Sequence, residues 1–457
     1  MQFNSFTFLS LFLPIIFLLI VCFRKFVRAQ NYILLVASLI FYLWGELYLA
    51  PIFILFALIN WAIPLQFGGH RKRLWMILLV TGDILFLGVF KYGDFIIQNV
   101  NTLFGMGLPF MHILLPLGIS FYTFKGLSYA VDVYKGKQQA QKNFLQILLY
   151  LSFFPQVTAG PIMRYNDFER QLTYRTLNWE KTAQGLRRFV IGLSKKLILA
   201  NTLGSFVDFA FGLEAVQLNV FISWTAAVCY MLQIYYDFSG YSDMAIGLGK
   251  LFGFETPENF RHPYLSGSIQ EFWRRWHITL SSWFRDYVYI PLGGNRKGKW
   301  ITYRNKILTF LLTGFWHGAN WTFGIWGCIM GFFLVLEDKM KPANWKKGLN
   351  HFYVILIVIL SFVVFRSESL AQAGIFFKAM VGHFSITSEN LSLFLMHIKP
   401  SFLITALLGL VALYPWQNKL KSKHWDKISY ILSFVLLFLC ILQLSSATYQ
   451  PFIYERF

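Results

Sequence analysis

A chain of 457 residues that is 56% hydrophobic, 19% aromatic and only 14% charged is too apolar for a soluble fold of this size. Its formal charge of +20 would suit nucleic acid in a soluble protein, yet the lysines and arginines fall in short clusters between apolar runs, as in cytoplasmic loops facing anionic lipid. Composition thus sets nucleic-acid binding aside and predicts an all-α polytopic membrane protein, one integral-membrane domain over residues 1–457, because helices satisfy their own backbone in lipid.

Residues 1–110 read as N-terminal helices. The first 23 residues hold no Lys or Arg, and Arg24, Lys25 and Arg28 follow the apolar run, the reverse of a cleavable signal peptide. The first helix is therefore read as retained, with the N-terminus outside. Apolar segments over about 32–49 and 52–67 return the chain to the basic cluster at 70–73, as positive-inside bookkeeping requires. Residues 74–90 cross again, and a Gly/Pro-containing connection at 99–109 leads into 113–131, with Pro116 and Gly118 near its start.

Residues 111–336 form the expected catalytic core. Lys135, Lys137 and Lys142 mark the inside. Residues 144–157 are short for a span and carry Pro155, which predicts a partly inserted or re-entrant helix whose backbone protein or a cavity must cover. A polar loop at 159–172 precedes a helix opened by Arg187, Arg188, Lys195 and Lys196. Residues 216–236 cross and deliver the chain to a polar cluster containing Asp237 and Asp243; from 237 to 306 no clean span appears, and short amphipathic helices in the cytoplasmic half are expected.

Residues 337–446 supply the C-terminal helices: a charged loop at 337–347, a span at 352–365, a less regular region to Lys399, and spans near 402–413 and 428–444. Roughly ten to twelve crossings result. Lys419, Lys421, Lys423 and Lys427 place the last loop inside, so the tail 447–457, SSATYQPFIYERF with its preceding helix end, emerges outside the cytoplasmic membrane. No internal repeat supports a transporter built from duplicated halves.

The candidate chemistry lies in residues 270–326. From Ile307 to Leu336 no charged residue appears, which puts His317 about ten residues, or roughly 15 Å of helix, beyond Lys306 and near mid-membrane. An ionisable group at that depth is usually kept for a task, although a histidine hydrogen-bonded to a neighbouring helix is the bland alternative. Gly314 and Gly318 beside it permit close approach of backbone or substrate. His277 lies in EFWRRWHITLSSWFRDY, where a continuous helix would put Trp273, His277 and Ser281 on one face. Arg274, Arg275, Arg285 and Arg296 are candidates for donor phosphates, and Asp286 for orienting a partner; an interfacial amphipathic helix fits the same composition. Trp276, Trp316, Asn320, Asp237 and Asp243 are supporting candidates. GGNRKGKW nearly spells a phosphate-binding P-loop, but Trp300 stands where Ser or Thr is needed, so a solvated basic turn is expected. The four cysteines form no CxxC pair, and no metal-ligand spacing, GxSxG or HExxH appears, so no metal is indicated.

The runs PLGISFYTFKGLSYAVDVYKG, AGPIMRY, GYSDMAIGLGKLFGFETPENFRHPY, FWRRWHITLSSWFRDYVYIPLGGNR and GFWHGANWTFGIWG, in this order from Leu115 to Trp326, resemble the membrane-bound O-acyltransferase family, and PLGGNR and AGPIMRY its bacterial alginate O-acetyltransferase branch. The resemblance implies a ring of membrane helices around a central tunnel, with His277 and His317 as the hallmark polar positions. It also implies a thioester donor, acetyl-coenzyme A or an acylated carrier protein, with no tightly bound cofactor. The implied partner is an extracytoplasmic SGNH-hydrolase-like protein that passes the acyl group to a polysaccharide. The tail fits Phe-x-Tyr-x-x-Phe, like a small peptide of the teichoic-acid system, which makes Tyr454 a candidate acyl relay; an aromatic interfacial anchor is the alternative. D-alanyl transfer to teichoic acid, and a transporter or polysaccharide conduit with His317 as proton relay, stay open at this point.

Overall fold

Helices account for nearly all regular structure in the protein, seen here in a computed structural model that describes residues 1–45, 47–416, 423–446 and 452. No strand occurs among the described residues. Packing divides the chain into two compact units, Met1–Phe189 with Met244–Pro257, and Val190–Asp243 with Glu258–Phe457.

The first unit opens with a π-helical turn, Phe8–Phe12, that runs into α1 (Leu13–Cys22), followed by α2 (Val27–Leu43), α3 (Ala50–Ala62) and α4 (Lys72–Phe104). The segments α5 (Ile119–Tyr134), α6 (Phe144–Ser152) and α7 (Tyr165–Thr173) complete its core. Phe12, Phe41 and Phe154 pack with ring centroids 5.4 to 5.9 Å apart, which ties the first two helices to the Pro155 loop. Gly118 opens α5 at φ 70°, and a Cβ there would run into the Val157 carbonyl. Beyond α6 the non-helical residues Phe153, Phe154, Gln156 and Val157 are buried, so protein covers this backbone as the sequence requires.

The second unit takes in the end of α8 (Trp179–Ser194), a π-helical turn at Lys195–Ala200, α9 (Asn201–Phe211) and most of α10 (Val220–Leu251). Here the structure departs from the sequence reading. Lys195 and Lys196 do not open a helix; they lie within the 33-residue apolar run Trp179–Phe211. Asp237 and Asp243 likewise do not follow a crossing but sit inside α10. Their carboxylates meet those two lysines, so the charges carried inside these helices have counter-charges.

Two short helices follow, α11 (Ile269–Arg275) and α12 (Ile278–Phe284), as expected for this stretch. The run 307–336, read as one crossing, is instead a hairpin of α13 (Lys299–His317) and α14 (Trp321–Met340). Asn320 caps α14, its Oδ1 accepting from Thr322 N at 3.0 Å, and this cap after Gly318 is what turns the chain. His317 thus ends a helix and adjoins the end of α14, a helix of spanning length, rather than lying halfway along one. The hairpin closes tightly because a Cβ at Gly314 or Gly327 would collide with the backbone of Phe323 or Phe310. Next come α15 (Lys347–Arg366), α16 (Leu370–Met380), α17 (Ser388–His397), α18 (Pro400–Val411) and α19 (Lys423–Ser446).

Among the described residues six helices are long and apolar enough to cross a membrane, seven if α17 and α18, bent by 69°, count as one span. The sequence suggested more because segments such as Phe8–Cys22 and Val27–Leu43 are apolar yet shorter than a full span. The protein is an all-α polytopic membrane protein.

Candidate active site

A break in the backbone creates the site. α11 stops at Trp276, and His277 takes φ 43°, a left-handed conformation that an L-residue adopts at a cost of roughly 1–3 kcal/mol. Two backbone bonds hold the break: Ile278 N–H donates to Asn259 O at 3.0 Å, and Arg261 N–H donates to Arg275 O at 2.9 Å. Trp273, His277 and Ser281 therefore do not share a helical face, because the helix that would align them is interrupted.

The break drives the His277 ring inward, where it is 0% exposed. Its Nδ1 faces Asn259 Oδ1 at 3.3 Å, the Phe238 ring packs edge-on with centroids 4.5 Å away, and Trp316 lies at 6.0 Å. Burial pushes its pKa down to about 3, so the ring is neutral at physiological pH. His317 is 4% exposed and boxed by Trp316, Phe365 and Trp326, with centroids at 5.0, 5.1 and 5.3 Å. The structure thus gathers both histidines around Trp316. Trp326 Nε1 is buried and has no hydrogen-bond partner among the described residues.

The supporting candidates divide. Trp276 is buried among Phe260, Phe272 and Phe362, at 5.1, 5.4 and 5.6 Å, and shares Phe260 with His277. Asp237 pairs with Lys196, both buried, and Asp243 pairs with Lys195 at 2.6 Å. Between them on α10, Phe238 touches His277 and Ser242 accepts from Asn259 Nδ2 at 3.2 Å, so the carboxylates brace the helix that walls the site. Asn320 is a cap, its Nδ2 donating to Glu368 O at 2.8 Å.

Arg275 pairs with Glu271 at 2.5 Å, Arg285 pairs with Asp286 at 2.8 Å, and Arg274 and Arg296 are exposed, the latter in the basic turn. Tyr454 lies outside the described residues. Phe452 is described and buried: its ring packs edge-on to Tyr241 at 4.8 Å, and the Lys196 ammonium stands 4.7 Å from its centroid. Sequence reading missed Asn259, Trp326 and Phe365. Asn259 lies in the run ending PENFRHPY, but nothing in those letters marks its burial or the break beside it.

Comparison with known proteins gives the family. Residues 138–366 match the membrane-bound O-acyltransferase family, a stretch that contains both histidines and the α10 segment. The chain is 39% identical to the probable alginate O-acetylase AlgI of Pseudomonas putida over 100% of both chains. The chain belongs to the membrane-bound O-acyltransferase family. Within that family it is also 37% identical to the peptidoglycan O-acetyltransferase of Helicobacter pylori, over 85% of this chain and 81% of the other. The teichoic acid D-alanyltransferase of Bacillus subtilis is more distant, 29% identical over 63% of this chain and 80% of the other. As a family member the protein is a membrane O-acyltransferase.

Proposed function

We propose that the protein is a transmembrane O-acetyltransferase of the cytoplasmic membrane, which takes acetyl from a cytoplasmic thioester and delivers it for O-acetylation of an extracytoplasmic polysaccharide. The observation that carries this reading is the burial of two imidazoles around one indole, a water-poor setting in which a neutral base acts without competing solvent. Full-length likeness to an alginate O-acetylase supports acetyl over D-alanyl.

In this reading His317 takes the proton of the attacking hydroxyl as oxygen bonds to the acyl carbon. The carbon–sulfur bond breaks, and the proton ends on the departing thiolate. Trp326 Nε1–H supplies a donor for the carbonyl oxygen as negative charge develops there. His277 serves the donor side, positioning the thioester or helping protonate the thiolate. The donor is acetyl-coenzyme A or an acylated carrier protein. Tyr454 receives the acetyl as a phenyl ester, which stays activated for a second transfer because a phenol, with a pKa near ~10, leaves far more readily than an alcohol. An SGNH-type partner outside the membrane completes delivery, with both termini of this chain on that side.

Purified protein in lipid nanodiscs, given radiolabelled acetyl-coenzyme A, tests this directly. Label is expected on a tyrosine of this chain or on added acceptor, and absent with H317A. Label reaching no phenol, serine or sugar while solute flux persists would favour a conduit.

A further inference from the structure

We infer that Asn259 sets the tautomer of His277, and thereby makes Nε2 the lone-pair nitrogen offered to the reactants. The inference rests on the reading of His277 as a donor-side residue and narrows it. Asn259 is 0% exposed and its amide meets groups on three sides. Its Oδ1 accepts from Thr279 N at 3.2 Å and from Thr279 Oγ1 at 2.9 Å, while Nδ2 donates to Ser242 Oγ at 3.2 Å. A backbone N–H can only donate, so the amide atom it faces has to be the oxygen.

That oxygen is also the atom 3.3 Å from His277 Nδ1. An amide oxygen offers no proton, so Nδ1 carries the hydrogen, and in a neutral ring Nε2 is then unprotonated. Neutrality is secured by burial, and the groups seen against the ring are uncharged: Phe238 on α10, Asn259 and Phe260 in the preceding loop, and Trp316 on α13. The same asparagine accepts the Ile278 N–H through its backbone carbonyl, so one residue holds both the left-handed break and the ring that the break turns inward.

The consequence is chemical. A resting His277 with its lone pair on Nε2 accepts a hydrogen bond or a proton and has none to give there. It therefore positions an N–H or O–H of a substrate or acts as a base, and it protonates the departing thiolate only with a proton that Nε2 has first taken up. Asn259 is a positioning residue, acting through His277.

Nitrogen-15 spectra of histidine-labelled full-length protein in nanodiscs read the tautomer without turnover, with the His277 signals assigned by difference from H277Q. Nδ1 is expected in the protonated range and Nε2 in the unprotonated range. N259L, which keeps bulk but removes the oxygen, is expected to mix the tautomers and lower kcat by about 10- to 100-fold with donor KM changed little, the size seen when a histidine's orienting partner is lost. N259D keeps an oxygen opposite Nδ1 and restores the protonated Nδ1 signal. A wild-type spectrum with the proton on Nε2 overturns the inference, as does a folded N259L with wild-type kcat. If N259L does not fold, the wild-type and N259D spectra decide. Undiminished transfer by H277A would instead remove His277 from the reaction, an outcome distinct from any spectrum.

Discussion

His277 and His317, 40 positions apart in sequence, pack against the same indole: Trp316 lies 6.0 Å from the first ring and 5.0 Å from the second, centroid to centroid. The contact joins the break between α11 and α12 to the tip of the α13–α14 hairpin. Both imidazoles thus have the edge or face of one shared ring as a neighbour.

Removing that ring should uncouple them. W316A is expected to lose about 3–5 kcal/mol of stability, typical of deleting a buried aromatic, and most of its acetyl transfer. W316F keeps a ring and should retain near-native melting with reduced kcat. Transfer assays in nanodiscs beside thermal unfolding separate the two effects; W316F with unaltered kcat would show that the indole only fills space.

The buried pair of Lys196 and Asp237, with side chains 4% and 3% exposed, predicts an asymmetric mutational series. D237N leaves an ammonium without its counter-charge and should destabilise by about 3–5 kcal/mol, whereas K196M combined with D237L should recover much of that loss. Lys195 and Asp243, at 24% and 14%, should respond less. Detergent-solubilised melting curves check the order, and a double variant worse than D237N would contradict it.

These pairs also show what the sequence could and could not reveal. His277 and His317 were legible because an imidazole in an apolar or Trp-rich run is costly and conspicuous. The acids and lysines were legible as residues but not as partners, since Lys196 and Asp237 are 41 positions apart and no helical spacing joins them. The break at His277 was hidden because the preceding residues fit a continuous helix, whereas the bonds from 259–261 that hold its left-handed backbone come from a separate stretch of chain. The hairpin turn was present in plain letters as Gly318 and Asn320, but an unbroken apolar run outweighed the cap.

Trp326 offers a sharper test of transition-state stabilisation. If its buried N–H meets the carbonyl oxygen, W326F should lower kcat by about 10²–10³, the usual loss for one such donor, while leaving donor binding nearly unchanged. Steady-state kinetics that instead show a raised KM with normal kcat would make Trp326 a wall of the donor pocket.

In the first unit, Lys181 holds the Glu255 carboxyl below its ordinary range across a 2.9 Å ion pair. A depressed folded pKa contributes stability that is fully present above the unfolded value and lost as pH falls through the folded one. With the side chains 49% and 58% exposed, solvent screening limits the effect to below about 1 kcal/mol. E255Q should therefore melt slightly lower than wild type at pH 7, with the gap closing under acid conditions. A gap that widens on acidification would reverse the sign.

Phe452 gives a test of the proposed acyl relay. Phe452 is buried against Tyr241 and faces the Lys196 ammonium, so the first aromatic of Phe-x-Tyr-x-x-Phe is held beside the ion pair that braces α10. The proposed relay at Tyr454 predicts that a fixed Phe452, two positions earlier in the sequence, favours the transfer by raising the effective concentration of the phenol. F452A should then lower the rate at which Tyr454 is acetylated while leaving release of free thiol from the donor less affected, and Y454F should abolish the acetyl-tyrosine outright. Peptide mass spectrometry after brief incubation with acetyl-coenzyme A follows both. Acetyl-tyrosine forming at the native rate in F452A would make the buried ring a membrane-end anchor with no part in transfer, and Y454F with undiminished polysaccharide acetylation would place the relay on another residue.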